Sequence, residues 1–141
     1  MSPYKGKTVF VQIAAYRDKE LLPSLKDMLA KADEPNTLHI CIAWQHSKKD
    51  EWDQLDEYLL DDRFTIIDLD AAKSKGACWA RNLIQQKYKK EDFTLQIDSH
   101  TRFVEGWDTI LKNTFYSLQL SGVKKPLLTG YLPSYDPETE E

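Results

Sequence analysis

The chain has 141 residues, of which 41% are hydrophobic and 30% are charged, and this length suits a single domain, residues 1–141, with a buried core. A formal net charge of −4 argues against a nucleic-acid partner, because phosphate backbones bind clustered lysines and arginines. No apolar run approaches the roughly 18 residues that a membrane-spanning helix requires, so no span is expected.

Two further features predict a cytoplasmic protein. The residues before Thr8 are few and mostly polar, so we expect no secretory signal. Cys41 and Cys78 show no pairing or metal-binding pattern, which is typical of thiols in a reducing compartment.

Strand and helix patterns alternate along the chain. Residues 8–15 form a near-continuous apolar run, which is typical of a strand covered on both faces. Residues 22–32 follow with apolar positions at helical spacing. The same two patterns then predict strands at 38–44, 64–69, 93–97 and 126–132, and helices at 49–60, 77–88 and 107–120. This alternation predicts an α/β fold with a mostly parallel sheet and helices on both faces.

Polar residues follow four of the predicted strands. They lie at residues 14–18, 45–47, 68–70 and 98–100. In open parallel sheets, ligands bind at the carboxyl ends of the strands. We therefore expect these four strand exits to meet in one ligand-binding constellation.

The fourth predicted strand ends in Asp98-Ser99-His100. Because side chains alternate along a strand, Asp98 and His100 are expected on the same side, where they could hold one divalent cation. A carboxylate with an imidazole suits Mn²⁺ or a similar first-row ion, with Mg²⁺ as the second choice. Such an ion can bridge the phosphates of a nucleoside diphosphate and stabilise it as a leaving group.

A basic segment joins the third strand exit to a helix N-terminus. The free N–H groups and positive dipole end of a helix favour an anion. Gly76 permits close approach of the backbone, while Lys75 and Arg81 add positive charge. The alternative is an ordinary helix start with solvated lysines, and Arg81 could instead pair with an acidic neighbour. Neither a dinucleotide-binding nor a P-loop glycine pattern is present.

Three other candidates are weaker. Tyr16 could stack on a nucleobase, although a tyrosine at a rim is more often a packing residue. His46 is interpreted as a hydrogen-bonded surface residue rather than a ligand. Cys78 has no accompanying histidine or aspartate at a spacing that suggests a nucleophile.

The sequence resembles the glycosyltransferase family typified by cytoplasmic N-acetylglucosaminyltransferases that modify hydroxyproline. The resemblance covers residues 7–132 and rests on segments 11–18, 44–46, 75–82 and 95–100. A fainter similarity to polypeptide N-acetylgalactosaminyltransferases includes the Gly106-Trp107 pair.

This resemblance implies a GT-A fold, a UDP-sugar donor, a divalent metal and retention at the anomeric carbon. It also implies transfer of N-acetylglucosamine from UDP-GlcNAc to a hydroxyl of a protein or glycan acceptor. By position, Asp98 and His100 would hold the metal, and no catalytic residue is assigned. The donor site would comprise Ala14, Ala15, Tyr16, Arg17 and Gln45 around uridine, and Lys75, Gly76, Arg81 and Asp98 along the groove.

Members of this family continue into an acceptor-binding half with a third metal ligand, and the present sequence stops at Glu141. Residues 133–141 are acidic and contain two prolines, so we expect no wall of an acceptor cleft from them. The chain is accordingly expected to be the donor-binding half, binding UDP with metal but transferring sugar negligibly. The alternative function is a noncatalytic module that binds a nucleotide sugar or another protein.

Overall fold

A computed structural model describes residues 2–130 and 132–139. The strands are β1 (Val9–Tyr16), β2 (Leu38–His46), β3 (Phe64–Asp70) and β4 (Phe93–Asp98). The helices are α1 (Leu21–Lys31), α2 (Ala77–Gln85) and α3 (Trp107–Leu120). Single turns of 3₁₀ helix occur at Pro35–Thr37, Asp56–Tyr58 and Ala71–Lys73.

The four described strands form one parallel sheet in the order β3-β2-β1-β4. The chain adds β2 and β3 on one side of β1 and then crosses back to place β4 on the other side. The strand order therefore reverses between β1 and β4, and such a reversal opens a crevice at the carboxyl ends of the two strands. Ala14 of β1 and Asp98 of β4 are register partners at this point.

Alternate residues of the strands supply two apolar layers. On one face, Val11 and Ile13 of β1 pack with Leu25 and Met28 of α1 and with Trp107 of α3. On the opposite face, a smaller cluster joins β1 and β2 to α2 through Phe10, Cys41, Ala43, Ala80 and Ile84. Helices thus cover both faces, which confirms the predicted α/β class.

The predicted helix at 49–60 is wrong, since only Asp56–Tyr58 is helical and that turn is 3₁₀. The segment buries two carboxylates, and each accepts a side-chain hydrogen bond from outside the segment. Backbone bonds from Asp50 to Ser47 and from Asp53 to Asp50 form successive turns instead of a helix. Leu55 is buried, while Leu59 of the same predicted stripe is exposed.

The predicted fifth strand at 126–132 is not found among its described residues, and Tyr131 lies outside them. The outer edge of β4 consequently has no strand partner within the described residues. The α2 helix also ends at Gln85, earlier than residue 88. The described helices include none that is both long and apolar enough to cross a bilayer.

Buried polar contacts anchor α3 at its start. Gly106 precedes the helix with a φ of 69°, and an added Cβ there would lie 2.9 Å from the Asp33 carboxylate. Asp108 is almost fully buried and accepts the backbone N–H groups of Asp33 at 2.8 Å and Glu34 at 2.9 Å. These bonds join the end of α1 to α3, so the helix is positioned by hydrogen bonds as well as by Trp107.

Candidate functional site

The four strand exits meet at one edge of the sheet, as the sequence predicts. The Arg17 N–H donates to the carbonyl of Gln45 at 2.9 Å, which joins the exits of β1 and β2. The Gln45 amide in turn donates to the carbonyl of Ala15 at 3.1 Å. His46 contacts Asp68 at 2.6 Å, which joins the exits of β2 and β3.

Asp98 and His100 lie together at the end of β4. Oδ2 of Asp98 is 3.8 Å from Nε2 of His100, and more than half of each side chain is exposed. Both groups can therefore reach a ligand in solvent, and they lie on the same side of the chain as expected from strand periodicity. Among the described residues, no group of three or more potential ligands is positioned to hold a metal ion.

Asp18 contacts the other nitrogen of His100. Its Oδ2 lies 2.9 Å from Nδ1 of His100 and accepts the Ser99 hydroxyl at 2.5 Å. A carboxylate only accepts hydrogen bonds, so the proton of a neutral His100 is assigned to Nδ1 and the Nε2 lone pair faces Asp98. Burial opposes ionisation of Asp18, but hydrogen bonds from Ser99, the Glu20 amide and His100 outweigh it and lower its pKa.

The start of α2 presents the predicted basic groups. Gly76 precedes the helix with a φ of 99°, a conformation that L side chains rarely adopt. Ser74 donates a hydrogen bond to the Gln45 side chain, so the turn before the helix is attached to the exit of β2. Lys75 is exposed and Arg81 half-buried, and neither has an ion-pair partner within residues 2–130 and 132–139. The alternative of a structural salt bridge at Arg81 is therefore not observed.

The end of β1 is exposed at Tyr16 and strained at Arg17. More than half of Tyr16 is accessible, so its ring is available for stacking. Arg17 has a φ of 45°, which is uncommon for a residue other than glycine. Its guanidinium contacts Asp50 through two hydrogen bonds of 2.6 and 3.0 Å. The bond from Arg17 lowers the pKa of Asp50, and the same contact raises the pKa of Arg17.

Trp44 and His46 stack with their ring centroids 3.5 Å apart and their planes within 4° of parallel. The Trp44 indole N–H donates to Oδ1 of Asp53 at 2.7 Å. The second oxygen of this buried carboxylate has no hydrogen-bond partner among the described residues. Burial raises the pKa of Asp53 despite the bond from Trp44. His46 is thus held by stacking and by Asp68, as its interpretation as a hydrogen-bonded residue predicts.

A cleft of about 690 Å³ lies beside Asp98 and His100. Its inner side is formed by the end of β4 and by Thr101, and its outer side includes Leu132, Pro133, Ser134 and Tyr135. Part of the segment 133–141 therefore lines a cleft, and the expectation that it forms no wall of an acceptor cleft stays a prediction. The acidic, proline-containing composition of this segment does not prevent it from packing against the site.

The profile of a family described as "Glycosyltransferase (GlcNAc)" matches the sequence over residues 8–58 and 51–141. Together the two matches cover almost the whole chain. The chain belongs to this family. It is accordingly a glycosyltransferase by class, and membership implies a nucleotide-sugar donor and an acceptor. No curated protein matches the sequence.

Sequence reasoning missed several residues of this candidate site. Asp18 was placed at a strand exit without a role, although it contacts His100. Asp50 and Asp53 lay within the predicted helix at 49–60 without a role, but they are buried and bind Arg17 and Trp44. Nothing in the sequence near Tyr135 indicated its contacts, because its partners Glu20 and Arg102 are far away in the sequence. The position of Asp18 directly after the strand exit Tyr16-Arg17 was the one sequence feature that indicated its contacts with Ser99 and His100.

Proposed function

We propose that the protein transfers N-acetylglucosamine from UDP-GlcNAc to a hydroxyl group of a protein or glycan acceptor, with a divalent metal. The observation that carries the proposal is the Asp98–His100 pair at the β1/β4 crevice, with Asp18 behind it. Ligands of open parallel sheets bind in such crevices. Asp98 and His100 are polar side chains at this crevice, and both are exposed to solvent. Family membership supports the class of reaction.

Asp98 and His100 are the residues that would hold the metal, with Mn²⁺ preferred over Mg²⁺ because one donor is an imidazole. Asp18 fits this role as the outer partner, since metal-binding histidines almost always donate their second N–H to a carboxylate or similar acceptor. With only these two protein ligands, a bound cation would remain accessible to the phosphate groups of a donor. A divalent cation there would neutralise negative charge on the departing diphosphate.

The donor would lie from the start of α2 across the end of β1. Lys75 and Arg81 lack acidic partners in the described part of the chain, so their charge is available to a diphosphate. Gly76 lets the backbone approach the phosphates at the helix N-terminus. Tyr16 would contact uridine, with the small residue Ala14 beside it. Gln45 and Ala15 are almost fully buried, and both polar atoms of the Gln45 side chain are already hydrogen-bonded, so these two residues would shape the uridine site from below its surface.

Arg17 is positively charged, but we do not assign it to binding the diphosphate. Its guanidinium donates two hydrogen bonds to the Asp50 carboxylate, from Nε and from Nη2, so its charge is already paired and is not available to neutralise a phosphate. Its backbone N–H is likewise bound to Gln45. We therefore assign Arg17 to shaping the uridine site. Retention at the anomeric carbon stays an implication of the family resemblance.

Calorimetric titration with a panel of nucleotides and nucleotide sugars, with and without Mn²⁺, tests the proposal. UDP and UDP-GlcNAc should bind in Mn²⁺, whereas GDP-mannose and free GlcNAc should bind much more weakly. Product analysis with hydroxylated peptides and glycans then separates an enzyme from a noncatalytic module. Transfer to any of these acceptors would exclude the noncatalytic module. Absence of binding by any UDP compound would refute both the transferase and a module that binds nucleotide sugars.

A further inference from the structure

Glu20, Arg102 and Tyr135 form a three-membered cluster, which we call the clasp. Nη2 of Arg102 lies 2.5 Å from Oε1 of Glu20, and Nη1 donates to the Tyr135 hydroxyl at 3.1 Å. The Tyr135 hydroxyl in turn donates to the same Glu20 oxygen at 3.2 Å. The Arg102 guanidinium also lies over the Tyr135 ring, with its Cζ 4.6 Å from the centroid.

The clasp is firmly attached to the fold on one side. Only 9% of the Arg102 side chain is exposed, and its Nη1 also donates to the hydroxyl of Ser24 in α1 at 3.2 Å. Ser24 accepts the backbone N–H of Thr101 as well, at 2.9 Å. Glu20 and Arg102 are therefore held against α1 and the exit of β4, and Tyr135 joins a chain segment to this fixed pair.

The segment that Tyr135 joins is the outer wall of the cleft beside the candidate metal site. Glu20 and Tyr135 both line this cleft together with Asp98 and His100. Among the wall residues, Leu132 is mainly exposed, so the segment has little apolar burial of its own to hold it there. The clasp supplies specific polar contacts that fix the wall.

The cleft lies on a defined side of the proposed donor. The proposed contacts to uridine come from the end of β1, and those to the diphosphate come from the start of α2 and, through the metal, from Asp98 and His100. The cleft lies beyond this pair, between β4 and the wall. In a nucleotide sugar, the sugar is attached at the end of the diphosphate opposite the nucleoside. With the diphosphate at Asp98 and His100, the sugar is therefore the group that reaches the cleft.

We propose that the clasp positions the outer wall against the sugar of the donor, with Tyr135 as its positioning residue; this inference rests on the proposed function above. Tyr135 positions residues 132–137 and does not itself take part in the reaction. Its loss should therefore reduce the contribution of the sugar to binding and leave the nucleotide contribution intact.

The test compares UDP with UDP-GlcNAc in Mn²⁺ for the wild type, Tyr135→Phe and Tyr135→Ala. Tyr135→Phe removes both hydroxyl hydrogen bonds but keeps the ring over Arg102. Tyr135→Ala removes the ring too. The matched control is Tyr88→Phe, which removes a tyrosine hydroxyl hydrogen bond of 2.7 Å to the carbonyl of Glu91, before the start of β4.

We expect UDP affinity to stay within about twofold in all variants. The ratio of UDP-GlcNAc to UDP affinity should fall by about fivefold in Tyr135→Phe, the size expected for a lost hydrogen bond, and further in Tyr135→Ala. Tyr88→Phe should leave the ratio unchanged. Deuterium uptake over residues 132–137 should rise in both Tyr135 variants and not in the control.

Two outcomes would overturn the inference while the proposed function stands. The first is an equal loss of UDP and UDP-GlcNAc affinity in Tyr135→Phe, which indicates a general effect on folding. The second is an unchanged affinity ratio in Tyr135→Ala. A wild type that binds neither compound overturns the proposed function itself and the inference with it, so the two failures are distinguished by the wild-type titration.

Discussion

The Nδ1 atom of His100 lies 2.9 Å from Oδ2 of Asp18, although the two residues are 82 positions apart in the sequence. This contact joins the exits of β1 and β4 across the point where the strand order reverses. It also fixes which ring nitrogen faces Asp98. One aspartate after β1 therefore orients an imidazole after β4, and the candidate metal pair depends on both strands being in place.

Asp18→Asn should weaken metal-dependent UDP binding without unfolding the protein. An amide can present its N–H₂ to His100, which disfavours the tautomer with a proton on Nδ1 and leaves Nε2 a poorer ligand. Loss of such an outer partner typically reduces metal affinity by about 10- to 100-fold. Titration of Mn²⁺ into the protein with saturating UDP measures the change.

Asp68→Asn is the matched control, because Asp68 makes the corresponding contact to His46 at 2.6 Å at the exits of β2 and β3. The control should leave the Mn²⁺ dependence unchanged. Equal losses in the two variants would mean that Asp18 has no special relation to the metal pair.

Lys75→Gln and Arg81→Gln should each weaken UDP binding much more than uridine binding. The physical reason is that only UDP carries the diphosphate charge, and charge-assisted hydrogen bonds are about twice as strong as neutral ones. Calorimetry with the two ligands measures the difference, and Lys125→Gln, at an exposed loop lysine, is the control. A parallel decline in uridine affinity would place the effect on the nucleoside pocket or on folding.

Asp53 should make the folded state less stable as the pH rises. Burial raises its pKa above the value in the unfolded chain, so the native state binds more protons in the interval between the two values. The stability contribution is complete below the unfolded pKa and is lost as the pH rises through the folded pKa. Asp53→Asn keeps an acceptor for the Trp44 indole but cannot ionise.

The measurement for Asp53 is urea unfolding of the wild type and Asp53→Asn between about pH 3 and about pH 7. The free energy of unfolding of the variant, relative to the wild type, should increase with pH. A difference that stays constant or decreases over this range would show that the carboxylate is not penalised by burial.

Leu25→Ala should reduce the free energy of unfolding by about 2–5 kcal/mol, because Leu25 of α1 is completely buried against the sheet. Leu60→Ala is the control, since Leu60 is 96% exposed and such changes usually stay within about 0.5 kcal/mol. Chemical denaturation monitored by tryptophan fluorescence measures both. Similar values for the two leucines would contradict the assignment of the core to this face of the sheet.

The sequence correctly predicted the strands of the sheet and the helix α1, whose apolar residues pack on the sheet. The four strands and α1 lie within one or two residues of their predicted bounds, because their side chains alternate between two covered faces or form one apolar stripe. The helix prediction for residues 49–60 was wrong because the apolar residues have helical spacing, whereas two aspartates of the segment bind Arg17 and Trp44. Tertiary contacts of polar groups leave no periodic signal.

The site was predictable in part for the same reason. Strand ends follow from periodicity, so Asp98, His100 and Gln45 could be placed at one edge of the sheet before the structure was known. The contacts of Asp18 with His100 and of Tyr135 with Glu20 join residues 82 and 115 positions apart. Such distant pairs depend on how the chain closes in space, which spacing along the sequence does not determine.

The central claim is that Asp98 and His100 form a metal-dependent nucleotide site, and a UDP titration in Mn²⁺ and in chelator tests it most directly. We predict that the wild type binds UDP at least about tenfold more tightly in Mn²⁺, and that Asp98→Ala abolishes this difference while remaining folded. Equal UDP affinity of the wild type in Mn²⁺ and in chelator would contradict the account.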